Sequence, residues 1–341
     1  MKRCFLALLL SAVLMVSSAC AAQPVYEKHQ YYFFGTFDTI ITLIGYTQTA
    51  GEFDAYAKLA EQEMTRYHEI FDQYHPYEGV NNLYSVNQLA PSAPASAEPE
   101  LIDLLLQVQQ WQSEYSVKTN PAMGSVLRLW HDARTAGNYV PDAASLEEAA
   151  QHMSYQDVVI DENAKTVYYR DPSLLLDLGA VAKGYAAQKV AEQLKAAGLS
   201  SFILNAGGNV ICGDAPLDGR SQWTVAVENV DGVTTRLKLG LKNLSIVTSG
   251  DYQRYFEVDG QRYHHLIDPD TLHPAAHMRA VSIIHPDSGL ADFLSTAAFL
   301  LPYEESRALI ESIPGAEATW LLADGAEYCT DGFEELMNLV K

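Results

Sequence analysis

The chain contains few cysteines, and their positions limit what they can do. Four cysteines occur in 341 residues, and Cys4 and Cys20 lie at the start of the chain. Cys212 and Cys329 are far apart in the sequence, so they form no dense disulfide framework, and we expect buried thiols. No cysteine accompanies the histidines at zinc-finger spacing, which argues against a structural zinc site.

Basic residues are also scarce. The sequence has 22 Lys and Arg against 43 Asp and Glu, a net charge of −21 at pH 7. Residues 1–19 hold two basic residues and no acidic one, which leaves 20 basic and 43 acidic residues in the remainder. Nucleic-acid binding requires a basic surface, so we expect no nucleic-acid partner. An anionic ligand stays possible because a metal ion can supply positive charge locally.

The apolar run at residues 5–16 is too short to span a membrane comfortably. It follows two basic residues and precedes small ones, which predicts a signal peptide over residues 1–19. Ser-Ala-Cys at its end resembles the lipobox of bacterial lipoproteins, so we expect Cys20 to be the lipidated mature N-terminus. The alternative is ordinary cleavage near Ala21. Either process gives an exported protein, and lipidation would anchor it to the outer face of the cytoplasmic membrane or the periplasmic side.

Two nucleotide-binding motifs are absent. The dinucleotide fingerprint G-x-G-x-x-G does not occur in the sequence. Gly179 and Gly184 have the spacing of the first part of a P-loop, but Tyr185 occupies the position of the required lysine. Any nucleotide must therefore bind by another route.

The stretch 174–190 has the pattern of a strand, a tight turn and a helix. Leu174 to Leu176 are predicted to form a buried strand, and Asp177 follows at its end. The free N–H groups of the following helix suit an anion such as phosphate, and Asp177 would face the same spot. The alternative is a plain connection with a capping aspartate.

The residues from 20 to 341 are expected to form one large domain. Segments rich in β-branched and aromatic residues form predicted hairpins, and amphipathic helices occur among them. This mixture favours an α+β fold over a strictly alternating α/β fold. The predicted helices are Phe53–Phe71, Glu100–Tyr115, Ser145–His152 and Gly289–Leu300; the predicted strands include Tyr31–Tyr46 with an interruption at Gly35, a hairpin over Asp157–Tyr169, Phe202–Leu204, Trp223–Val230, Thr234–Leu241, Ser245–Val247 and Ala280–Ile284; a loop is expected over Gln73–Asn87.

Asp292 and Thr296 lie one helical turn apart on the predicted helix Gly289–Leu300, so they share one face. A carboxylate and a hydroxyl at this spacing provide two oxygen ligands for a hard cation such as Mg²⁺. The alternative is an aspartate that complements the helix dipole and a threonine that bonds to the preceding turn.

The pair His264-His265 lies in a segment predicted to be extended from Tyr263 to Ile267, because Pro269 keeps Asp268 out of the helical region. Neighbours in a strand point to opposite faces, so His265 would share a face with Ile267, and His264 would not. A histidine beside a cleft is a candidate general base. The alternative is a hydrogen-bonded, partly buried histidine.

Five segments occur together in one order: DLGAVAKGYA, NAGGN, TSGDYQRY, RYHHLIDPDTLHP and ADFLSTA. This set resembles the ApbE family, the FAD:protein FMN transferases, and the likeness extends back to the segment 34–36. The resemblance implies an α+β fold of antiparallel or mixed sheets flanked by helices, with FAD in a cleft between two halves. It also implies the family's reaction, in which Mg²⁺ assists transfer of FMN from FAD to a Ser or Thr of another protein and AMP is released.

The resemblance implies a role for each matched position. Asp292, Thr296 and the carbonyl of Ala180 match the metal ligands, and His265 matches a proposed catalytic base. Asn120 stands where many members have Asp, and Ala122 where many have Thr. The positions that match FAD contacts are Phe34, Tyr74, Asn120, Pro121, Ala122, Asp177, Lys183 and Ile267.

The resemblance also implies partners, namely FAD and an acceptor flavoprotein, with an exported subunit of a redox complex as the expected acceptor. Two other functions fit the same motifs. The protein could hydrolyse FAD to FMN and AMP with water as the acceptor, or it could bind FAD as a flavin-trafficking lipoprotein.

Overall fold

The computed structural model describes residues 25–340, so the predicted signal peptide and Cys20 lie outside the described residues. The fold is α+β, as the hairpins and helices of the sequence predicted. The strands are β1 (Glu27–Thr36), β2 (Thr39–Thr47), β3 (Ala95–Ser96), β4 (Val158–Asp161), β5 (Thr166–Tyr169), β6 (Phe202–Ala206), β7 (Asn209–Cys212), β8 (Trp223–Glu228), β9 (Thr235–Leu241), β10 (Leu244–Gly250), β11 (Tyr255–Val258), β12 (Gln261–His264), β13 (Met278–His285), β14 (Glu317–Leu322) and β15 (Glu327–Cys329).

Amphipathic segments form most of the helices, close to the predicted bounds. The four helices predicted from periodicity and the helix expected after Asp177 are all present, and the predicted helix Ser145–His152 consists of an α-helix followed by a 3₁₀ turn. None of the helices in residues 25–340 is both long and apolar enough to cross a membrane. The α-helices are α1 (Ala50–Phe71), α2 (Leu83–Leu89), α3 (Pro99–Glu114), α4 (Gly124–Ala136), α5 (Ala143–Ala149), α6 (Ala182–Ala197), α7 (Ser288–Leu300), α8 (Tyr303–Glu311) and α9 (Asp331–Asn338).

An eight-stranded sheet organises the fold, in the order β1-β2-β6-β7-β10-β13-β14-β15. Every pair of neighbours in it is antiparallel. Helices α1, α6 and α7 pack on one face of this sheet. The hairpin β8–β9 and helix α9 cover the other face.

Alternation of side chains along the strands separates the two cores. On β10, Val247 belongs to the core beneath the helices, and its neighbour Ile246 belongs to the core beneath the β8–β9 hairpin. On β13, Ile283 and Ile284 divide in the same way. Strands buried on both faces appear in the sequence as continuous apolar runs rather than as alternating patterns. The sequence therefore predicted only the central residues of β10 and β13 and missed their ends.

The expected strand Tyr31–Tyr46 is a hairpin. Phe37 and Asp38 form its turn, each with a φ of 52°, and the register shifts between Phe33 and Thr36. Two consecutive positive φ values are typical of the tight turns that join twisted strands. Because neither turn residue is glycine or asparagine, composition did not indicate the turn. The register shift between Phe33 and Thr36 includes Gly35, where the sequence predicted an interruption, although the strand continues through it.

The predicted strand over Leu174–Leu176 is wrong, because only Leu175 forms an isolated bridge, to Met123. Both backbone groups of Leu176 instead bond to the side-chain amide of Asn87, at 3.0 and 2.9 Å. The apolar run is buried as predicted, but the side chain of Asn87 provides the backbone hydrogen bonds that a neighbouring strand would otherwise form.

Two further predictions were wrong in extent. The loop expected over Gln73–Asn87 contains the start of helix α2, whose N-cap Asn82 accepts a hydrogen bond from the N–H of Ser85 at 3.0 Å. The extended segment expected to reach Ile267 leaves the strand at His264, and Ile267 forms only an isolated bridge to Pro274. A short capped helix and an isolated bridge leave no periodic signal in the sequence.

Candidate active site

A cavity of about 250 Å³ opens where the end of the large sheet meets α4, α6 and α7. Its walls bring together residues that are far apart in the sequence. Nine of the twelve predicted site residues within the described chain line it: Tyr74, Asn120, Asp177, Ala180, Lys183, His265, Ile267, Asp292 and Thr296.

The other three lie elsewhere. Ala122 is fully buried behind the wall, and the carbonyl of Pro121 accepts the N–H of Asp177 at 2.8 Å. Phe34 is 64% exposed on β1, where its ring packs edge-on against Tyr32 with centroids 5.9 Å apart. The FAD contacts assigned to these three residues stay predictions.

Asp292 is held at the crossing of α6 and α7. All thirteen residues of α7 are buried, so this carboxylate lies in an otherwise largely apolar helix. The N–H of Gly184 on α6 donates to Asp292 Oδ2 at 2.8 Å. A Cβ atom at Gly184 would lie 2.4 Å from Asp292 Cβ and from the carbonyl oxygen of Ser288. Glycine is therefore required for this close approach.

Burial disfavours the charged form of Asp292 and raises the pKa of this carboxyl group to about 6, although Lys183 and the N–H of Gly184 act in the opposite direction. The pKa of Lys183 is lowered, again by burial, and Asp292 opposes the shift. The Asp292 carboxylate and the Lys183 ammonium thus lie in a part of the cavity where burial removes water from both. Their mutual attraction does not fully offset the cost of burying either charge.

The oxygen atoms at this end suit a small hard cation. Asp292 and Thr296 occupy one face of α7, as their spacing predicted, and Ala180 lines the same cavity. Within residues 25–340 no cluster of three His, Cys, Asp or Glu side chains could hold a metal ion. Mg²⁺ commonly takes one or two carboxylates and completes its shell with water and substrate phosphate, so this sparse donor set fits it.

Asn120 and Asp177 shape the wall between α3 and α6. Asn120 Oδ1 accepts the N–H of Ala122 at 3.0 Å, and its Nδ2 donates to the carbonyl of Met153 at 2.8 Å. Asp177 accepts from Gln73 Nε2 at 2.5 Å and from the N–H of Gly179 at 2.8 Å. An amide at position 120 therefore both donates and accepts, which a carboxylate could not do.

The two neighbouring histidines have different environments. His264 uses both ring nitrogens: Nε2 bonds to the carbonyl of Ala275 at 2.9 Å, and Nδ1 accepts the N–H of Leu266 at 3.2 Å. The Nδ1 atom of His265 is buried without a hydrogen-bond partner. Burial, with the nearby charge of Arg254, lowers the pKa of His265 to about 3, so its imidazole is neutral at physiological pH.

Sequence reasoning missed two arginines of the site. Arg134 on α4 and Arg254 before β11 both line the cavity. Burial lowers the pKa of Arg134, and the charge of Arg254 lowers it further. Two cations that approach each other in a strongly acidic protein indicate an anionic ligand. Arg254 lies within the quoted segment TSGDYQRY, which could have indicated it, whereas Arg134 lies in none of the five segments.

Aromatic rings form another part of the wall. Phe256 and Tyr263 stack with centroids 5.6 Å apart, and Trp130 lies 5.8 Å from Tyr263. Tyr74 stacks on His131 with centroids 5.0 Å apart. These surfaces suit planar ring systems, and the charged region of the same cavity suits phosphate.

Comparison with known proteins identifies the family of this chain. The model of the ApbE family matches residues 37–320. The chain belongs to the ApbE family. The FAD:protein FMN transferase of Treponema pallidum is 36% identical over 259 residues, which cover 71% of each chain. A transferase of the same name from Klebsiella pneumoniae is 29% identical, over 75% of this chain and 81% of its own.

Solved ApbE structures have the same fold. The ApbE protein of Thermotoga maritima superposes with a TM-score of 0.80 at 27% identity, over 91% of this chain and 99% of its own. The apo flavinyl transferase ApbE of Pseudomonas stutzeri gives 0.76 at 25% identity, over 92% and 97%. The ApbE-like motifs of this chain therefore occupy one cavity of an ApbE fold.

Proposed function

We propose that this chain transfers FMN from FAD to a Ser or Thr hydroxyl of an acceptor protein and releases AMP. The observation that carries the proposal is one cavity that combines the buried Asp292 carboxylate, the Lys183 ammonium and the neutral His265 in an ApbE-family chain. Relatives at 36% and 29% identity that are named FAD:protein FMN transferase support it.

Asp292, Thr296 and the carbonyl of Ala180 would hold Mg²⁺. When bound, the ion supplies positive charge that offsets the negative charge gathering on the pyrophosphate in the transition state. The raised pKa of Asp292 supports this role, because a buried carboxylate with incomplete compensation gains most from a cation.

Lys183, Arg134 and Arg254 bind the phosphate groups and orient the FMN phosphorus toward the acceptor. The acceptor oxygen forms a bond to that phosphorus while the bond to the bridging oxygen of AMP breaks. His265 is neutral and has a free Nδ1 atom. Burial lowers its pKa and the charges of Arg254, Arg134 and Lys183 help to lower it further, so phosphates that pair with these cations raise its basicity and let it take the proton from the attacking hydroxyl.

FAD lies in the cleft with its ring systems against aromatic surfaces. Trp130, Phe256 and Tyr263 form one such surface, and Tyr74 stacked on His131 forms another. Stacking on these rings would fix the dinucleotide while the phosphates meet the cations.

The acceptor is a flavoprotein, and we propose an exported subunit of a redox complex. The charged start, short apolar run and Ser-Ala-Cys20 support export with a lipid anchor. This arrangement would keep the enzyme at the membrane surface on which such an acceptor is assembled.

A mass-spectrometric assay tests the proposal. The protein is incubated with FAD, Mg²⁺ and a candidate acceptor, and the acceptor is expected to gain the mass of FMN while AMP appears in equal amount. Free FMN with AMP would instead identify a pyrophosphatase. FAD recovered unchanged with every acceptor would favour a flavin-trafficking protein.

A further inference from the structure

Lys118 joins two parts of the cavity wall. Its ammonium donates to Asp268 Oδ1 and to Asp270 Oδ2, each at 2.8 Å. The side chain of Lys118 is 16% exposed and that of Asp268 is 9% exposed, so water screens this contact less than a surface ion pair. Burial alone would lower the pKa of Lys118, but the two carboxylates outweigh it and raise that pKa, which keeps the ammonium charged.

The segment that carries Lys118 is fixed to helix α7. The hydroxyl of Thr119 donates to the carbonyl of Phe293 at 2.8 Å, one residue after Asp292. The side chain of Gln112 on α3 donates to the carbonyl of Thr119 at 2.9 Å. The backbone next to Lys118 therefore has a defined position relative to the helix that carries the proposed metal ligands.

The other side of the contact is the turn that follows His265. Asp268 Oδ1 also accepts the N–H of Asp270 at 3.1 Å, and its carbonyl accepts the N–H of Leu272 at 2.8 Å. The N–H of His265 itself donates to the carbonyl of Arg254 at 3.1 Å. Strand β12 has already ended at His264.

The turn is closed by backbone bonds such as Asp268 N–H to the carbonyl of His273 at 2.9 Å, and Trp130 Nε1 on α4 donates to the carbonyl of Leu272 at 2.8 Å. Lys118 adds the side-chain contact between this turn and the segment that is bonded to α7.

We infer that Lys118 is a positioning residue for the transfer reaction. Its bonds to Asp268 and Asp270 fix the turn that follows His265, and therefore His265 itself, in position relative to α7. The activity part of this inference rests on the proposed function. A displacement of about 1 Å in a reacting group can cost about 100-fold in rate. If the turn moves, His265 moves with it, and proton transfer slows although the FAD-binding residues stay in place.

Three single variants are the main test, and Asp268→Asn with the Lys118→Met/Asp268→Asn double variant completes the set. Lys118→Met removes the charge and keeps the length, and Lys118→Arg restores a cation. Lys189→Met is the control, since Lys189 on α6 also contacts a carboxylate, Asp103, at 3.4 Å, but lies outside the cavity. For each variant, kcat at saturating FAD and Mg²⁺, the Kd for FAD, and amide hydrogen exchange over residues 265–272 are measured.

We expect Lys118→Met to lose about 10- to 100-fold in kcat, to keep the Kd for FAD within about threefold, and to exchange faster in the turn. Lys118→Arg recovers most of the rate, and Lys189→Met matches the wild type in all three measurements. Asp268→Asn removes one carboxylate charge but keeps an acceptor oxygen and the bond to Asp270, so it should lose only part of the rate that Lys118→Met loses, and the double variant should be no worse than Lys118→Met alone.

Other outcomes overturn the inference. If Lys118→Met weakens FAD binding at least tenfold and leaves kcat at saturation unchanged, Lys118 binds the substrate. Unchanged exchange in the turn means that the contact does not position it. If the wild type neither transfers FMN nor hydrolyses FAD, the proposed function has failed, and the exchange measurement alone decides whether Lys118 orders the turn.

Discussion

At the scale of single residues, the site depends on buried titratable groups that have few hydrogen-bond partners or opposite charges around them. Asp292 accepts one hydrogen bond from a backbone N–H, and it lies in a helix whose other buried residues are mostly apolar. His265 is kept neutral by burial and by surrounding cations. Both groups are costly for stability and useful for chemistry, as is common at active sites.

Asp292→Ala is expected to abolish most Mg²⁺-dependent turnover while the fold stays intact. The substitution removes the only carboxylate in the proposed ligand set, and Thr296 and a carbonyl alone bind Mg²⁺ poorly. Turnover across a Mg²⁺ titration measures the effect, and circular dichroism checks the fold. Wild-type activity at ordinary Mg²⁺ concentrations would contradict the metal assignment.

The raised pKa of Asp292 also predicts a pH-dependent stability. The folded state holds the proton up to about pH 6, whereas the unfolded state releases it near 3.8. The stability that protonation contributes is therefore fully present below pH 3.8 and is lost as pH rises through 6. Metal-free Asp292→Asn should be more stable than the wild type at pH 8, by roughly 1–3 kcal/mol. The variant also lacks the Asp292 charge that opposes the lowering of the Lys183 pKa, so that pKa falls further.

Thermal unfolding of both proteins at pH 4 and pH 8 in EDTA measures this difference, which should shrink at the lower pH. Saturating Mg²⁺ is the control: it should stabilise the wild type and leave Asp292→Asn unchanged. Equal stability at pH 8 without metal would show that the carboxylate is better compensated than the structure indicates.

The two histidines are expected to differ when they are replaced. His265→Ala should lose about 10²- to 10⁴-fold in transfer rate and still bind FAD, because it removes the candidate base. His264→Ala should act mainly on stability, since it loses two hydrogen bonds and an edge contact with Phe299 at 5.6 Å. Rates at saturating FAD and Mg²⁺, with melting temperatures, separate the effects. If only His264→Ala is inactive although folded, the roles are reversed; if neither loses rate, the base lies elsewhere and Asp268 is the next candidate.

At the scale of elements, the α6–α7 crossing sets the geometry of the charged region. Helix α7 is covered by the sheet, by α6 and by α3, and it presents Asp292 and Thr296 to the cavity. The small residue at position 184 lets the two helices approach until a backbone N–H reaches the carboxylate. The apolar packing that stabilises α7 also excludes water from Asp292, the one carboxylate of this helix.

Gly184→Ala is expected to push α6 and α7 apart. The new methyl group would meet a backbone oxygen and Asp292 Cβ at 2.4 Å, and such overpacking costs about 1–3 kcal/mol. Melting temperature and apparent Mg²⁺ affinity should both fall. Gly51→Ala on α1 is the matched control, because no atom lies within 4 Å of its added Cβ, and it should be neutral or slightly stabilising. Wild-type stability and affinity in Gly184→Ala would refute the close crossing.

At the scale of the whole molecule, the protein combines a strongly acidic chain with a cavity that contains several cations. The net charge is −21, yet Lys118, Arg134, Lys183 and Arg254 all line the cavity. A general negative field repels anions, so a phosphorylated substrate needs the local charges of Arg134, Lys183 and Arg254 and the proposed metal ion. The Lys118 ammonium is instead bonded to Asp268 and Asp270. None of the helices within residues 25–340 is long and apolar enough to cross a membrane.

Cys20→Ser is expected to release the protein from membranes while export continues. One lipidated cysteine is the only anchor that the sequence predicts, and serine lacks the thiol that would carry the lipid. Cell fractionation with labelled palmitate measures this, and the catalytic variant Asp292→Ala, which keeps Cys20, is the control that should stay in the membrane fraction. A Cys20→Ser protein that sediments with membranes as the wild type does would point to cleavage near Ala21 and another mode of attachment.

The sequence by itself determined which residues could take part in chemistry and which class of fold to expect. The i, i+4 spacing of Asp292 and Thr296 and the helical periodicity around them are local properties, and the structure retains both. Hairpins and amphipathic helices were recognisable for the same reason. Only the tertiary structure decided that the backbone groups of Leu176 form hydrogen bonds with the side chain of Asn87. Only the tertiary structure, likewise, brought Arg134, Arg254 and Lys118 into the cavity. These contacts connect residues far apart in the chain, and neither periodicity nor propensity carries information about such distances.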